Sequence, residues 1–386
     1  MTSPVLTAAR DVIDPGHLRA AWRAAPSPTT TAGVLAALRC GAAVALALAL
    51  AAATGHQDLA GFAALGALAS LYGRFDPYRR RAAVVALLGA VLTGAFVAVA
   101  TLTTAGAPAP VVLGVVALVA AGSTVLCLLV RTGPPGGTIV VFAAAGGMAA
   151  AADWSGVAER GLAVAAGSAV AWLVATSGWV VRHGGVLRRM TRRATGRPAT
   201  GRGATATREP APAGATPGVL ATVRATWHEP GWRLGGVRVT LAALAAGAVA
   251  QAAGLGHPAW AQMGATATLQ GATTGHAVVR ALQRGVGTVV GALLAWPLLA
   301  AHLGFAATCV VVVALQVVTE VVVGRHYGLA MLTITPMALL MTSLAAPADP
   351  AGTAAARALD TVLGAALGVL AVVLVHARER GAATTG

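Results

Sequence analysis

The sequence predicts an all-α polytopic membrane protein of about twelve transmembrane helices, arranged as two parallel six-helix repeats. Three observations carry that expectation: a composition too oily for a water-facing surface, a series of apolar runs of helical length, and landmarks that recur from one half to the other. Of the 386 residues, 57% are hydrophobic and 10% are charged, and the mean hydropathy is +0.77. A soluble domain carries about 25% charged residues, so a bilayer is the solvent that suits this chain.

A helix needs about 20 apolar residues to cross the hydrocarbon core. Candidate runs in the first half are 32–54, 57–72, 83–105, 109–130, 134–152 and 159–181. In the second half they are 235–254, 257–272, 285–301, 304–323, 327–346 and 354–376. The runs at 57–72 and 257–272 are short and Gly-rich and suit tilted or partial spans. All are Ala- and Leu-rich without alternation, which excludes barrel strands.

The 27 basic residues against 12 acidic ones give a net charge of +15, and every basic residue is arginine. The arginines stand at the ends of apolar runs, a mark of topology rather than of nucleic-acid binding. With the N-terminus inside, the cytoplasmic connections hold Arg74, Arg79, Arg80, Arg81, Arg131, Arg280, Arg284 and Arg325. The opposite connections hold Asp58, Asp153 and Asp349. Arg160 and Arg357 are the exceptions, each just inside a helix start. The chain therefore divides into a cytoplasmic segment 1–31, a membrane half 32–182, an Arg/Gly/Pro-rich cytoplasmic linker 183–234, a second membrane half 235–376 and a cytoplasmic tail 377–386. Both termini face the cytoplasm. The linker lacks the means to bury a core. Its cluster Arg188, Arg189, Arg192, Arg193 and Arg197 suits anionic lipid headgroups, at about 1 kcal/mol each, or a plain topology signal.

Landmarks recur at a spacing of roughly 200 residues, the mark of an internal repeat. Arg19 to Trp22 resembles Arg224 to Trp227, and Arg39 matches Arg238. Gly55-His56 matches Gly256-His257, Arg81 matches Arg284, and Arg131 matches Arg325. Arg160 with Gly167 matches Arg357 with Gly364. An even number of spans per half gives both halves one orientation and puts their interface at the centre of the molecule.

Cys40, Cys127 and Cys309 lie inside apolar runs and read as small buried hydrophobes. The histidines show no metal-ligand spacing, and without lysine there is no phosphate-cradling P-loop. No cofactor, metal or enzymatic chemistry is expected, and nothing in the sequence sets an oligomeric state.

Several residues are candidates for anion chemistry. A buried arginine faces a cavity or a partner, and its planar fork grips a carboxylate with two hydrogen bonds. Arg39 and Arg238, repeat-related, fit either such a site or snorkelling to headgroups. Arg284 shares a helix face with Thr288 and Gly291; that face suits close helix packing or an inner mouth. Trp260, beside His257 and Gln262, offers a flat ring and an N–H donor, or a place in the interfacial belt. Glu320 and Asp360 are carboxylates able to carry a coupled proton. Asp360 also stands three residues after Arg357, the spacing of an ion pair.

The run Gly256-His-Pro-Ala-Trp-Ala261 resembles the start of the second helix in the fusaric acid resistance (FUSC) family of transporters. Arg280-Ala-Leu-Gln-Arg-Gly-Val-Gly-Thr-Val-Val-Gly291 is similar to that family's Arg-x-x-Gly-Thr-x-x-Gly signature. Tyr327-Gly-Leu-Ala, Thr333-Ile-Thr-Pro336 and Arg357-Ala-Leu-Asp-Thr-Val-Leu-Gly364 resemble its later landmarks. The first half keeps the arginines but lacks a clear Gly-Thr-x-x-Gly. The resemblance implies a secondary transporter that exports organic anions, aromatic carboxylates above all, across the cytoplasmic membrane. It departs from Gram-negative relatives, which carry a large cytoplasmic region where this chain has a short linker. An uncoupled organic-anion channel and a non-transporting membrane scaffold are the alternatives.

Overall fold

A computed structural model describes residues 15–16, 19, 30–149, 153–183, 216–229, 231–270, 274–345 and 349–385. It is all-α, and thirteen α-helices run through those residues. They are α1 (Thr31–Ala53), α2 (Ala60–Ala67, with a 3-10 turn on each side), α3 (Tyr78–Thr104), α4 (Ala109–Val130), α5 (Thr138–Gly147) and α6 (Trp154–His183). There follow α7 (Val219–Trp227), α8 (Gly231–Ala252), α9 (Pro258–Thr268), α10 (Thr274–Ala300), α11 (Phe305–Val322), α12 (Tyr327–Ala345) and α13 (Pro350–Thr385). Nine of them are long and apolar enough to cross a membrane, so the chain is a multi-pass membrane protein.

Burial is inverted relative to a soluble fold. Leu118, Leu162, Val286 and Val310 are more than 60% exposed, whereas Gln262, Gln316, Arg357 and Asp360 are 2% exposed or less. An oily outside around a polar inside is the arrangement lipid selects, because polar groups in hydrocarbon must find partners within the protein.

Local chemistry sets the helix ends. Thr30 caps α1 by accepting the Gly33 N–H. Asp153 caps α6 through the Gly156 N–H and the Ser155 hydroxyl, and Asp349 caps α13 through the N–H groups of Gly352 and Ala351. A carboxylate at a helix N-terminus satisfies orphan donors, which explains why acids stand in these connections.

Packing runs through small residues. α1 lies against α2, α6 and α11, while α8 lies against α9, α13 and α4. α6 packs on α2 and α3, and α13 on α9 and α10; α5 packs on α3, and α12 on α10. A methyl added at Gly167 would stand 2.8 Å from the Ala63 carbonyl carbon, and one at Gly364 would stand 2.8 Å from the Ala261 carbonyl carbon. Gly66 similarly faces the Val164 carbonyl, and Gly264 the Thr361 carbonyl. Backbones approach this closely only where a side chain is missing.

The twelve expected runs each contain a helix, but among the described residues only nine helices have the length of a span, those in runs 57–72, 134–152 and 257–272 being too short; details differ in four places. The fifth run, 134–152, yields only ten residues of helix, Thr138–Gly147, because Pro134 to Gly137 are spent on a turn. At 1.5 Å per residue α5 and α9 reach about 15 Å, half of the hydrocarbon thickness. α10 begins at Thr274 rather than 285, so Arg284 lies in its third turn instead of at its mouth. The linker holds α7, which Arg80 fixes in place by donating to the Pro217 carbonyl, the Thr222 hydroxyl and the Val130 carbonyl. α13 continues through the expected tail to Thr385. The linker arginines 188–197 and Trp22 lie outside the described residues.

Candidate functional site

A cavity of about 430 Å³ opens at the seam between the first six membrane helices and the last six. Phe62 of α2, Phe142 of α5 and Arg160 of α6 line one wall; His257, Trp260 of α9 and Met341 of α12 line the other. The Arg160 guanidinium lies 5.3 Å from the Phe62 ring centre and donates to the Ala149 carbonyl at 2.9 Å. Trp260 is 6% exposed and stacks on His257, with centroids 3.9 Å apart and planes inclined by 8°. Arg357 approaches the Trp260 ring to 5.1 Å. Each wall therefore carries an aromatic ring with an arginine against it. Flat apolar faces hold a ring by stacking and area burial, and a guanidinium supplies a fixed positive charge. Partial burial and then the Arg357 charge push the His257 imidazole below its usual 6.5, so at neutral pH it is an uncharged ring.

The residues nominated from sequence fall into separate places. Trp260 lines the cavity. Gln262, two residues on in α9, is wholly buried; its side-chain amide donates to the Leu113 carbonyl of α4 and its Oε1 has no partner. Arg284 is 3% exposed and donates to the Tyr327 hydroxyl at 2.7 Å. Its neighbours Gly287 and Gly291 lie against Gly328, Met331 and Thr335 of α12, so this helix face is a packing surface. Arg39 donates to the Arg74 carbonyl at 2.7 Å, and Arg74 forms an ion pair with Glu320. That pair joins the turn after α2 to α11. Arg39 and Arg238 belong to different packing neighbourhoods, because α1 and α8 have different partners. The expected ion pair of Arg357 with Asp360 does not form. The fully buried Asp360 has the His257 backbone N–H and the Arg357 charge near it, without a side chain in close contact with either oxygen. The three cysteines are free, two of them buried, and no cluster of metal-binding side chains occurs among the described residues.

Comparison with known proteins reaches part of the chain. Residues 244–371 match the family described as fusaric acid resistance protein-like. That match takes in about a third of the chain, all of it C-terminal to the basic linker. Over 135 residues the chain is 33% identical to "Uncharacterized membrane protein YvaC" of Bacillus subtilis (strain 168), an alignment covering 35% of this chain and 21% of that relative. The chain thus spans about a fifth of the curated relative it matches. No solved structure matches. The FUSC-like match takes in Trp260, Gln262, Arg284, Glu320, Arg357 and Asp360.

Phe62, Phe142 and Arg160 lie in the other half and were not singled out from sequence as binding residues. A signal for Arg160 was present: it and Arg357 are the two arginines on the wrong side for a topology mark.

Proposed function

We propose that this protein is a secondary transporter, not an enzyme, and that it exports organic anions, aromatic carboxylates foremost, across the cytoplasmic membrane. The observation that carries the reading is the seam cavity, walled by an arginine-backed ring from each half. Its size suits a single-ring acid, with Phe62 and Trp260 as the stacking faces and Arg160 as the charge that draws the carboxylate.

The same reading takes the bundle as two parallel repeats, an architecture that puts a substrate site on the interface between halves. Supporting it, the α1–α11 contact has its counterpart in α8–α4, α2–α6 in α9–α13, and α3–α5 in α10–α12. The Asp153 and Asp349 caps, the Gly167–Ala63 and Gly364–Ala261 approaches, and the Arg160–Phe62 and Arg357–Trp260 pairs are matched likewise. The arginine distribution supports both termini inside, which places the cavity, near the Asp153 and Asp349 connections, toward the cell exterior. The small organic anion and the anionic lipids facing the basic linker are the partners this reading requires.

The test is efflux of labelled benzoate and related acids from proteoliposomes. Arg160→Gln should slow it about tenfold, the worth of one charge-assisted contact. No flux of any aromatic acid from correctly inserted protein would remove the reading. Sustained unitary currents indifferent to a pH gradient would replace the transporter with a channel.

A further inference from the structure

Behind Trp260 the second half holds buried polar groups that the fold leaves unsatisfied. Arg357 is 2% exposed, and its Nε and Nη1 have no partner. Arg284 is 3% exposed with its Nε unpartnered. The hydroxyls of Thr288 and Thr361 are wholly buried, again without partners, and Asp360, equally buried, has the His257 backbone N–H and the Arg357 charge beside it. Arg280 lies with its guanidinium 4.1 Å from the Tyr327 ring centre, and Tyr327 is within electrostatic reach of Arg280, Arg284 and Arg357 together. Three guanidiniums thus bear on one phenol, and one of them, Arg357, also on the Asp360 carboxylate. Arginine stays charged in proteins, and an uncompensated buried charge costs several kcal/mol. The excess positive charge calls for an anion.

We propose that Arg357, with Arg284 and the Thr361 hydroxyl, forms a second anion subsite that takes a carboxylate group one step deeper than the seam cavity. Trp260 separates the two: its indole lines the cavity, and Arg357 approaches the same ring. An organic acid held by ring stacking in the cavity reaches the inner guanidiniums once the His257–Trp260 stack swings aside. Asp360 is the internal counter-charge, competing with the ligand for Arg357. The inference rests on the anion-export reading and gives that site a second station.

Equilibrium dialysis of labelled benzoate against the full-length chain in nanodiscs tests it. Two benzoates per wild-type chain are expected, falling to one in Arg357→Gln. Asp360→Asn, which removes the competing charge without changing shape, should tighten the inner site about tenfold. One benzoate per wild-type chain, or two retained in Arg357→Gln, overturns the proposal, as does displacement of the inner benzoate by equimolar chloride. Should Arg357→Gln fail to insert, the wild-type stoichiometry and the Asp360→Asn affinity decide. A single site abolished by Arg160→Gln sinks the inner subsite and leaves export standing; no binding at all sinks both.

Discussion

Replacing Gly364 by alanine should destabilise the protein, and replacing Gly167 should do so equally. At each position the new methyl would stand 2.8 Å from a carbonyl carbon of the facing helix, Ala261 or Ala63. Carbon atoms are at their optimum near 3.5 Å, and the carbonyl oxygens of Ala261 and Ala63 stand nearer still, so each helix pair must part by more than about 0.7 Å. That the obstacle is a backbone atom matters, since a carbonyl, unlike a side-chain tip, moves only with its whole helix. Over-packing of this kind costs about 1–3 kcal/mol. The helices concerned, α13 on α9 and α6 on α2, also hold Arg357 against Trp260 and Arg160 against Phe62. Benzoate binding should therefore weaken along with stability. Gly114 and Gly122 of α4 are the controls: an added methyl there meets nothing within 4 Å. Alanine at those positions should be neutral or stabilise by up to about 1 kcal/mol, through its better helix propensity. Thermal unfolding of the purified variants, followed by loss of the monodisperse peak on size-exclusion chromatography, gives the ranking. Gly364→Ala melting with wild type would refute the close-approach argument. Gly167→Ala melting with wild type while Gly364→Ala falls would refute the equivalence of the two halves.

Three further outcomes are expected. Arg80→Ala removes donors to Pro217, Thr222 and Val130 and should cost about 3 kcal/mol by orphaning buried acceptors; faster hydrogen exchange over 219–227 checks it, and unchanged exchange contradicts it. Arg74→Gln strands the Glu320 carboxylate, whose side chain is 6% exposed; a loss of about 3–5 kcal/mol should be largely recovered in Arg74→Gln with Glu320→Gln, whereas a proton-carrying Glu320 would leave that double variant stable but without pH-driven flux. His257 is held below its usual 6.5 by partial burial and by Arg357, so its charge appears only as pH falls beneath that value; benzoate should then bind more tightly at pH 5.5 than at pH 7, and a His257→Asn chain showing the same pH dependence would exclude the imidazole.

The membrane class and the succession of helices were legible because lipid imposes them on every residue of a run: apolar length and arginine placement are local properties. Helix starts were less legible. Thr274 to Arg284 is polar enough to read as a connection, yet forms the first turns of α10 because Arg280 and Arg284 find partners in the Ala267 carbonyl and the Tyr327 hydroxyl. The site was legible only in part. Trp260 stood out as an aromatic in a short polar-flanked helix, but Phe62 and Phe142 look like any core residue until α2 and α5 bring them to the seam. Arg39 and Arg238 misled for the opposite reason. Their matched positions suggest convergence, whereas α1 packs onto α11 and α8 onto α4, which sets the two arginines in different packing neighbourhoods.

The two halves differ most where function is expected. Arg160 lies at the cavity, its guanidinium bonded to the Ala149 carbonyl; its counterpart Arg357 is buried with nitrogen atoms unbonded. Where the second half carries the buried Asp360 and Thr361, the first half carries Ala163 and Val164 at the matching distance from its arginine. A bundle selected for stability alone would satisfy both halves alike, since each unsatisfied buried group costs about 1–3 kcal/mol. The FUSC-like half instead concentrates its unsatisfied charge beside Trp260, at the one wall of the cavity where a ligand could complete it. On the export reading proposed above, the asymmetry makes one half scaffold and outer wall and the other the half that discriminates what is carried.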